Sequence, residues 1–162
     1  MIKKLSLASL LCFIIYFILQ FVIIFFPKLY LWAFAPDLTV ELPLSVQLSL
    51  VGQALCILPF GAVCCFSYFK ENITKMNSYS IVILAPILYL TGIILSNFIY
   101  MQTVNHSDFI SLVGMDGIAL LNYIRTATGM ISCLEKASLI LICCAGAIAL
   151  YITKYERNEG EL

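Results

Sequence analysis

The sequence predicts an all-α membrane protein, a four-transmembrane-helix bundle with an outer amphipathic helical segment continuous with or preceding the fourth span. Three observations predict it. Apolar residues make up 62% of the 162-residue chain and charged residues 11%, against roughly 25% charged in ordinary soluble domains. Four stretches without a charge, 5–26, 48–69, 79–101 and 137–153, take up about half of the chain. The first of these is apolar on every face for 22 residues, whereas a lipid-facing strand alternates apolar and polar residues over about ten positions. A helix also satisfies its backbone N–H and C=O groups without water.

Residues 5–26 come first, and at 1.5 Å per residue they reach about 33 Å, enough for a hydrocarbon core of roughly 30 Å. Lys3 and Lys4 before this run invite a signal-peptide reading, but the run is longer than a signal h-region and meets Pro27 and Lys28 without a small-x-small site. An uncleaved signal anchor is the expectation. Span two, 48–69, contains Pro59, and span three, 79–101, contains Pro86; each proline removes one helical hydrogen bond and is expected to bend its helix. Gly52, Gly61 and Gly92 in the same spans permit close helix approach.

The fourth span, about 130–153, is preceded by an amphipathic segment, about 117–134. From 117 to 153 nothing but tolerable glycines interrupts a helix that would extend about 55 Å, so part of it exceeds the hydrocarbon. Asn122, Arg125, Gly129, Ser132 and Lys136 recur at spacings of three and four, with Leu120, Ile124, Ile131 and Leu134 on another face. Three placements are open: projection from the membrane, a bend at Gly129 onto the outer surface, or entry into the bundle with Arg125 facing a polar cavity. Glu135 and Lys136 read either as boundary charges on a surface helix or, for Glu135 with Arg125, as part of a buried polar site.

The connections are too short for a second core, so 1–162 is expected to form a single integral membrane domain. Its orientation follows from the cations. Lys3, Lys4, Lys70, Lys75, Lys154 and Arg157 fall on one side, which places both termini in the cytoplasm of a multi-pass cell-membrane protein; the short Lys-rich start points to a bacterial inner membrane.

Candidate chemistry is sparse. Gln20, Gln53, Thr91 and Asn97 lie within spans, and amides between membrane helices hydrogen-bond across the interface. Gln20, Gln53, Asn97, Arg125 and Glu135 form the candidate intramembrane polar site. Seven cysteines suggest thiol–disulfide exchange, yet six lie within spans and no C-x-x-C pair stands near an outer loop. They read as small apolar fillers and, without His or carboxylate companions, as no metal site. His106 beside Asp108 reads as a solvated loop residue, and of the two N-x-[ST] sequons, at 72–74 and 105–107, only the second faces outward in this topology. With zero net charge and no basic patch, nucleic-acid binding is not expected.

The stretch 42–47, Leu58-Pro59 and the run 71–76 resemble a family of uncharacterised small bacterial four-helix membrane proteins. The resemblance covers about the middle third of the chain and implies a cytoplasmic-membrane bundle without assigned activity; this chain lacks that family's longer basic linker after the second helix. No catalytic residue, cofactor or metal is predicted, and an enzyme is not expected. The expected role is that of an accessory, regulatory or self-associating interaction protein, its partners the lipid bilayer and another membrane protein or itself. The alternative is a small transporter or lipophile-binding protein with a cavity between the proline-bent helices.

Overall fold

The computed structural model describes residues 1–26, 44–70, 75–104 and 109–159, and every described element is an α-helix. Residues 27–43, both sequons and His106 with Asp108 lie outside the described residues. In chain order the helices are α1 (Ile2–Phe25), α2 (Leu44–Leu55), α3 (Leu58–Phe69), α4 (Lys75–Val104) and α5 (Phe109–Glu159). Four stretches, Ile2–Phe25, Leu44–Phe69, Ser78–Thr103 and Ile118–Thr153, are long and apolar enough to cross a membrane. They suggest a multi-pass membrane protein.

Contacts between helices define an up-and-down arrangement. Ser6 of α1 meets Ser67 near the end of α3, Ser9 meets Ser138 of α5, and Gly146 of α5 lies against Ser78, Ile81 and Val82 near the start of α4. At the other end Ser49 of α2 bonds Thr103 of α4, and Arg125 of α5 bonds Tyr100 of α4. The start of α1, the end of α3, the start of α4 and the end of α5 therefore share one end, here the basic end.

Two buried clusters fill the interior. One, toward the basic end, gathers Phe13, Tyr16, Ile57, Phe60, Ile81, Ala85, Tyr89 and Ile142 around Phe60, which is fully enclosed. Phe60 sits edge-on to Phe13 and Tyr89, with centroids 5.8 and 5.5 Å away, geometry that suits the charge distribution of the rings. The other gathers Ile23, Ile24, Val46, Leu50, Ala54, Leu120, Leu121, Ile124 and Ala127.

The second apolar stretch is two helices rather than one. Pro59 has no N–H to offer the Leu55 carbonyl and its ring crowds that position. The chain answers with a tight turn, Cys56 N donating to Gln53 O at 3.3 Å and Ile57 N to Ala54 O at 3.5 Å, after which α3 restarts with proline in its first turn. The break is sheltered by Gly92 of α4, where a Cβ would stand 2.7 Å from the Cys56 carbonyl oxygen. Pro86, by contrast, leaves α4 continuous. Of the glycines flagged by the sequence, Gly61 lies under the Phe13 ring, 2.2 Å from a would-be Cβ, whereas Gly52 has only an ordinary contact at 4.0 Å.

The amphipathic segment and the fourth apolar stretch form one 51-residue helix that runs through Gly129 without interruption. Of the three placements open to the segment, the structure adopts entry into the bundle: Leu120, Leu121, Ile124 and Ala127 are buried against α1 and α2. Among the described side chains, those of α5 from Ile118 onward pack against this cluster, ahead of position 130.

Two glycine substitutions separate close approach from mere helix content. Gly92→Ala should lower the unfolding free energy by about 1–3 kcal/mol, because backbone rather than a movable side chain opposes the methyl. Gly129→Ala meets nothing within 4 Å and should be neutral or stabilising by about 0.5–1 kcal/mol. Thermal unfolding of both variants in the same detergent measures the difference.

Candidate functional site

The helices α1 and α5 meet along a seam of repeating three- and four-residue steps. On α1 it runs Ser6, Ser9, Phe13, Tyr16, Gln20; on α5 it runs Leu121, Ile124, Thr128, Ile131, Glu135, Ser138, Ile142, Ala145, Ala149. That is the heptad spacing by which two helices keep one side in contact. Polar residues are placed on it level by level.

Nearest the basic end, Ser9 Oγ donates to the Ser138 carbonyl and Ser138 Oγ donates to the Ser9 carbonyl, both at 2.8 Å. All four atoms belong to fully buried residues. Such a reciprocal pair needs backbones in close approach, which small side chains permit. Ser6 and Ser67 hydroxyls stand 2.9 Å apart, tying α1 to α3 in the same layer.

About two turns further along α1, Glu135 points into the bundle. It is 6% exposed, and the hydroxyls of Tyr16 and Tyr89 are its hydrogen-bond donors. A carboxyl group removed from water needs such partners. Lys136, its neighbour in sequence, is exposed on the outside of α5. The boundary-charge reading therefore fails for Glu135, because a 100° turn between adjacent helical residues sends one inward and the other outward.

One turn beyond Tyr16, a cavity of about 140 Å³ opens between α1, α2, α4 and α5. Its polar lining is Gln20, Gln53, Asn97, Tyr100, Arg125 and Thr128; Ile24, Leu50, Leu121 and Ile124 complete the wall. Gln20 forms the floor at 8% exposure, and its Oε1 has no hydrogen-bond partner among the described residues. Asn97 and Arg125 stand exposed at the rim. The Arg125 guanidinium lies 4.9 Å from the Tyr100 ring centroid, with Nη1 donating to the tyrosine oxygen at 3.4 Å. Tyr100 thus steers the cation by a cation–π contact and a long hydrogen bond. Thr128 spends its hydroxyl on the Ile124 carbonyl, 2.8 Å away.

Four of the five residues selected from the sequence, Gln20, Gln53, Asn97 and Arg125, share this cavity, and Glu135 does not. Glu135 lies two helical turns from Thr128, in the adjacent tyrosine layer. Thr91 satisfies itself within its helix by donating to the Ile87 carbonyl at 2.8 Å. Sequence reasoning missed Tyr16, Tyr89 and the serine pair. Their signal was the heptad spacing of polar residues along α1, which hydropathy alone conceals.

The outer face of α5 differs from those of its neighbours. Asn122, Thr126, Gly129, Cys133 and Lys136 are exposed along it at the same three- and four-residue steps. The exposed faces of α1 and α4 carry Leu11, Ile14, Ile15 and Ile18, and Ile83, Ile87, Leu90 and Ile94.

Comparison with protein-family models, curated proteins and solved structures finds no match for this chain.

The tyrosine–glutamate layer gives a graded expectation. Glu135→Leu strands two buried hydroxyls and should destabilise the bundle by about 1–3 kcal/mol, while Glu135→Gln keeps an acceptor and should lose less than half of that. Unfolding in mixed detergent micelles reads both.

Proposed function

We propose that the chain is a multi-pass cell-membrane protein with both termini cytoplasmic, acting as an accessory subunit that binds another membrane protein through the outer face of α5. The orientation is supported by the helix ends carrying Lys3, Lys4, Lys70, Lys75, Lys154 and Arg157, which share one end of the bundle. A bacterial inner membrane suits the short Lys-rich start.

The carrying observation is Lys136. Its neighbours Glu135 and Ser138 bond Tyr16 and Ser9, so Lys136 is level with the middle of the 24-residue α1. Either end of α1 is about 16 Å away along the helix, more than twice what a four-carbon stem covers. Exposed to lipid at that depth, an ammonium costs at least about 2.5–3.5 kcal/mol, and such residues are usually paired. Cys133 one turn before it and Gly129 two turns before it are small residues that allow a second helix to approach, with exposed Ile140 one turn beyond. A second copy packed symmetrically would bring Lys136 against Lys136. A partner helix carrying a carboxylate at mid-depth fits better.

Photo-crosslinking in intact membranes tests this. A photoreactive residue at position 133 or 129 should yield one discrete adduct with a second protein, and the same residue at position 94 on α4 should yield lipid adducts only. Lys136→Leu should weaken the protein adduct at least fivefold. Adducts between two copies of the chain, or lipid adducts at all three positions, would defeat the proposal. Cysteine accessibility at both termini reports the orientation: labelling of either one from outside intact cells contradicts it.

One observation favours a second role, that of a ligand-binding protein: the polar cavity with the enclosed, unbonded Gln20 Oε1.

A further inference from the structure

We infer that the cavity between α1, α2, α4 and α5 binds an oxyanion, a phosphate or carboxylate group, that also carries a hydrogen-bond donor. The inference rests on the ligand-binding role just given and is independent of any partner on α5.

Charge sets the sign of the ligand. Among the described residues Arg125 is the one charged side chain in the lining, and no described carboxylate lines the cavity with it. Tyr100 takes up Nη1 and orients the guanidinium, leaving most of its five N–H donors for another acceptor. The amides of Gln53 and Asn97 add neutral donors on the same cavity. A planar cation flanked by amides is suited to a group with two or three acceptor oxygens.

Gln20 sets the second requirement. Its Oε1 is enclosed and accepts no hydrogen bond from the described residues, a rare condition for a buried amide oxygen. A hydroxyl or ammonium on the ligand would supply the donor. Glycerol-phosphate and ethanolamine-phosphate heads combine both features. Space agrees with this, since 140 Å³ holds about four or five groups the size of water, the scale of a phosphate.

Depth points to the headgroup region. Gln20 stands five residues before the end of α1, about 8 Å by helical rise, at the end of the bundle opposite the lysines. The same chemistry arises from a lipid headgroup or from a soluble phosphate ester, and both are covered by the assignment.

The test uses the full-length protein purified in a neutral detergent. Thermal unfolding and native mass spectrometry are run with dioleoyl phosphatidylglycerol, with dioleoyl phosphatidylcholine and with glycerol 1-phosphate. The glycerol lipid should raise the melting temperature and remain bound at least tenfold more tightly than the choline lipid, which has no donor. Glycerol 1-phosphate should displace it only if the natural ligand is soluble. Arg125→Gln and Gln20→Leu should each weaken binding about tenfold or more, and Thr91→Val, remote from the cavity, should not. Gln20→Leu without ligand should melt no lower than the parent, because it removes a buried carbonyl oxygen that accepts no hydrogen bond from the described residues; this keeps the test meaningful if Arg125→Gln fails to fold. Binding unchanged in both cavity variants would overturn the site while leaving a ligand-binding role intact. No binding of any probe to the parent protein would overturn both.

Discussion

The architecture depends on pairing polar side chains between α1 and α5. Both helices carry hydroxyl, phenol, amide or carboxyl groups along the stripe that packing encloses, and each such group must find a partner where water is excluded. Antiparallel packing in one register answers most of them. Serine meets serine through reciprocal bonds to backbone. Glu135 receives the two tyrosine hydroxyls. A slip of one helical turn would strand both layers, so the register is specified by hydrogen bonding more sharply than leucine and isoleucine could specify it.

The rest of the bundle builds outward from this pair. Helices α3 and α4 close against it around Phe60, and the break between α2 and α3, at Cys56 and Ile57, occurs where Gly92 lets α4 cover it. An irregular backbone in an apolar setting is tolerated where protein encloses it. Pro59 therefore acts together with Gly92, and neither position is explained alone.

Two of the polar side chains among the described residues stand outside this pairing. Gln20 faces inward to a cavity rimmed by Arg125, and Lys136 faces outward at mid-height between Cys133 and Ile140. The first is enclosed within the bundle, and the second is open on the surface of α5. The same seam accounts for both, because filling the α1–α5 interface with Glu135 turns Lys136 away from it.

Composition and uninterrupted apolar runs were enough to determine the helical class, the four long apolar stretches and the proline positions, because the need to satisfy a backbone without water leaves few alternatives. The amide and arginine residues of the cavity were also legible, since polar side chains in apolar runs stand out one by one. Tertiary structure alone decided that Pro59 splits its helix while Pro86 does not, that the segment 117–134 packs within the bundle, and that Glu135 joins Tyr16 and Tyr89 rather than Arg125. Those outcomes turn on which face of a helix meets which neighbour. A hydropathy average is blind to that, because it sums over the turn of the helix that separates one face from another.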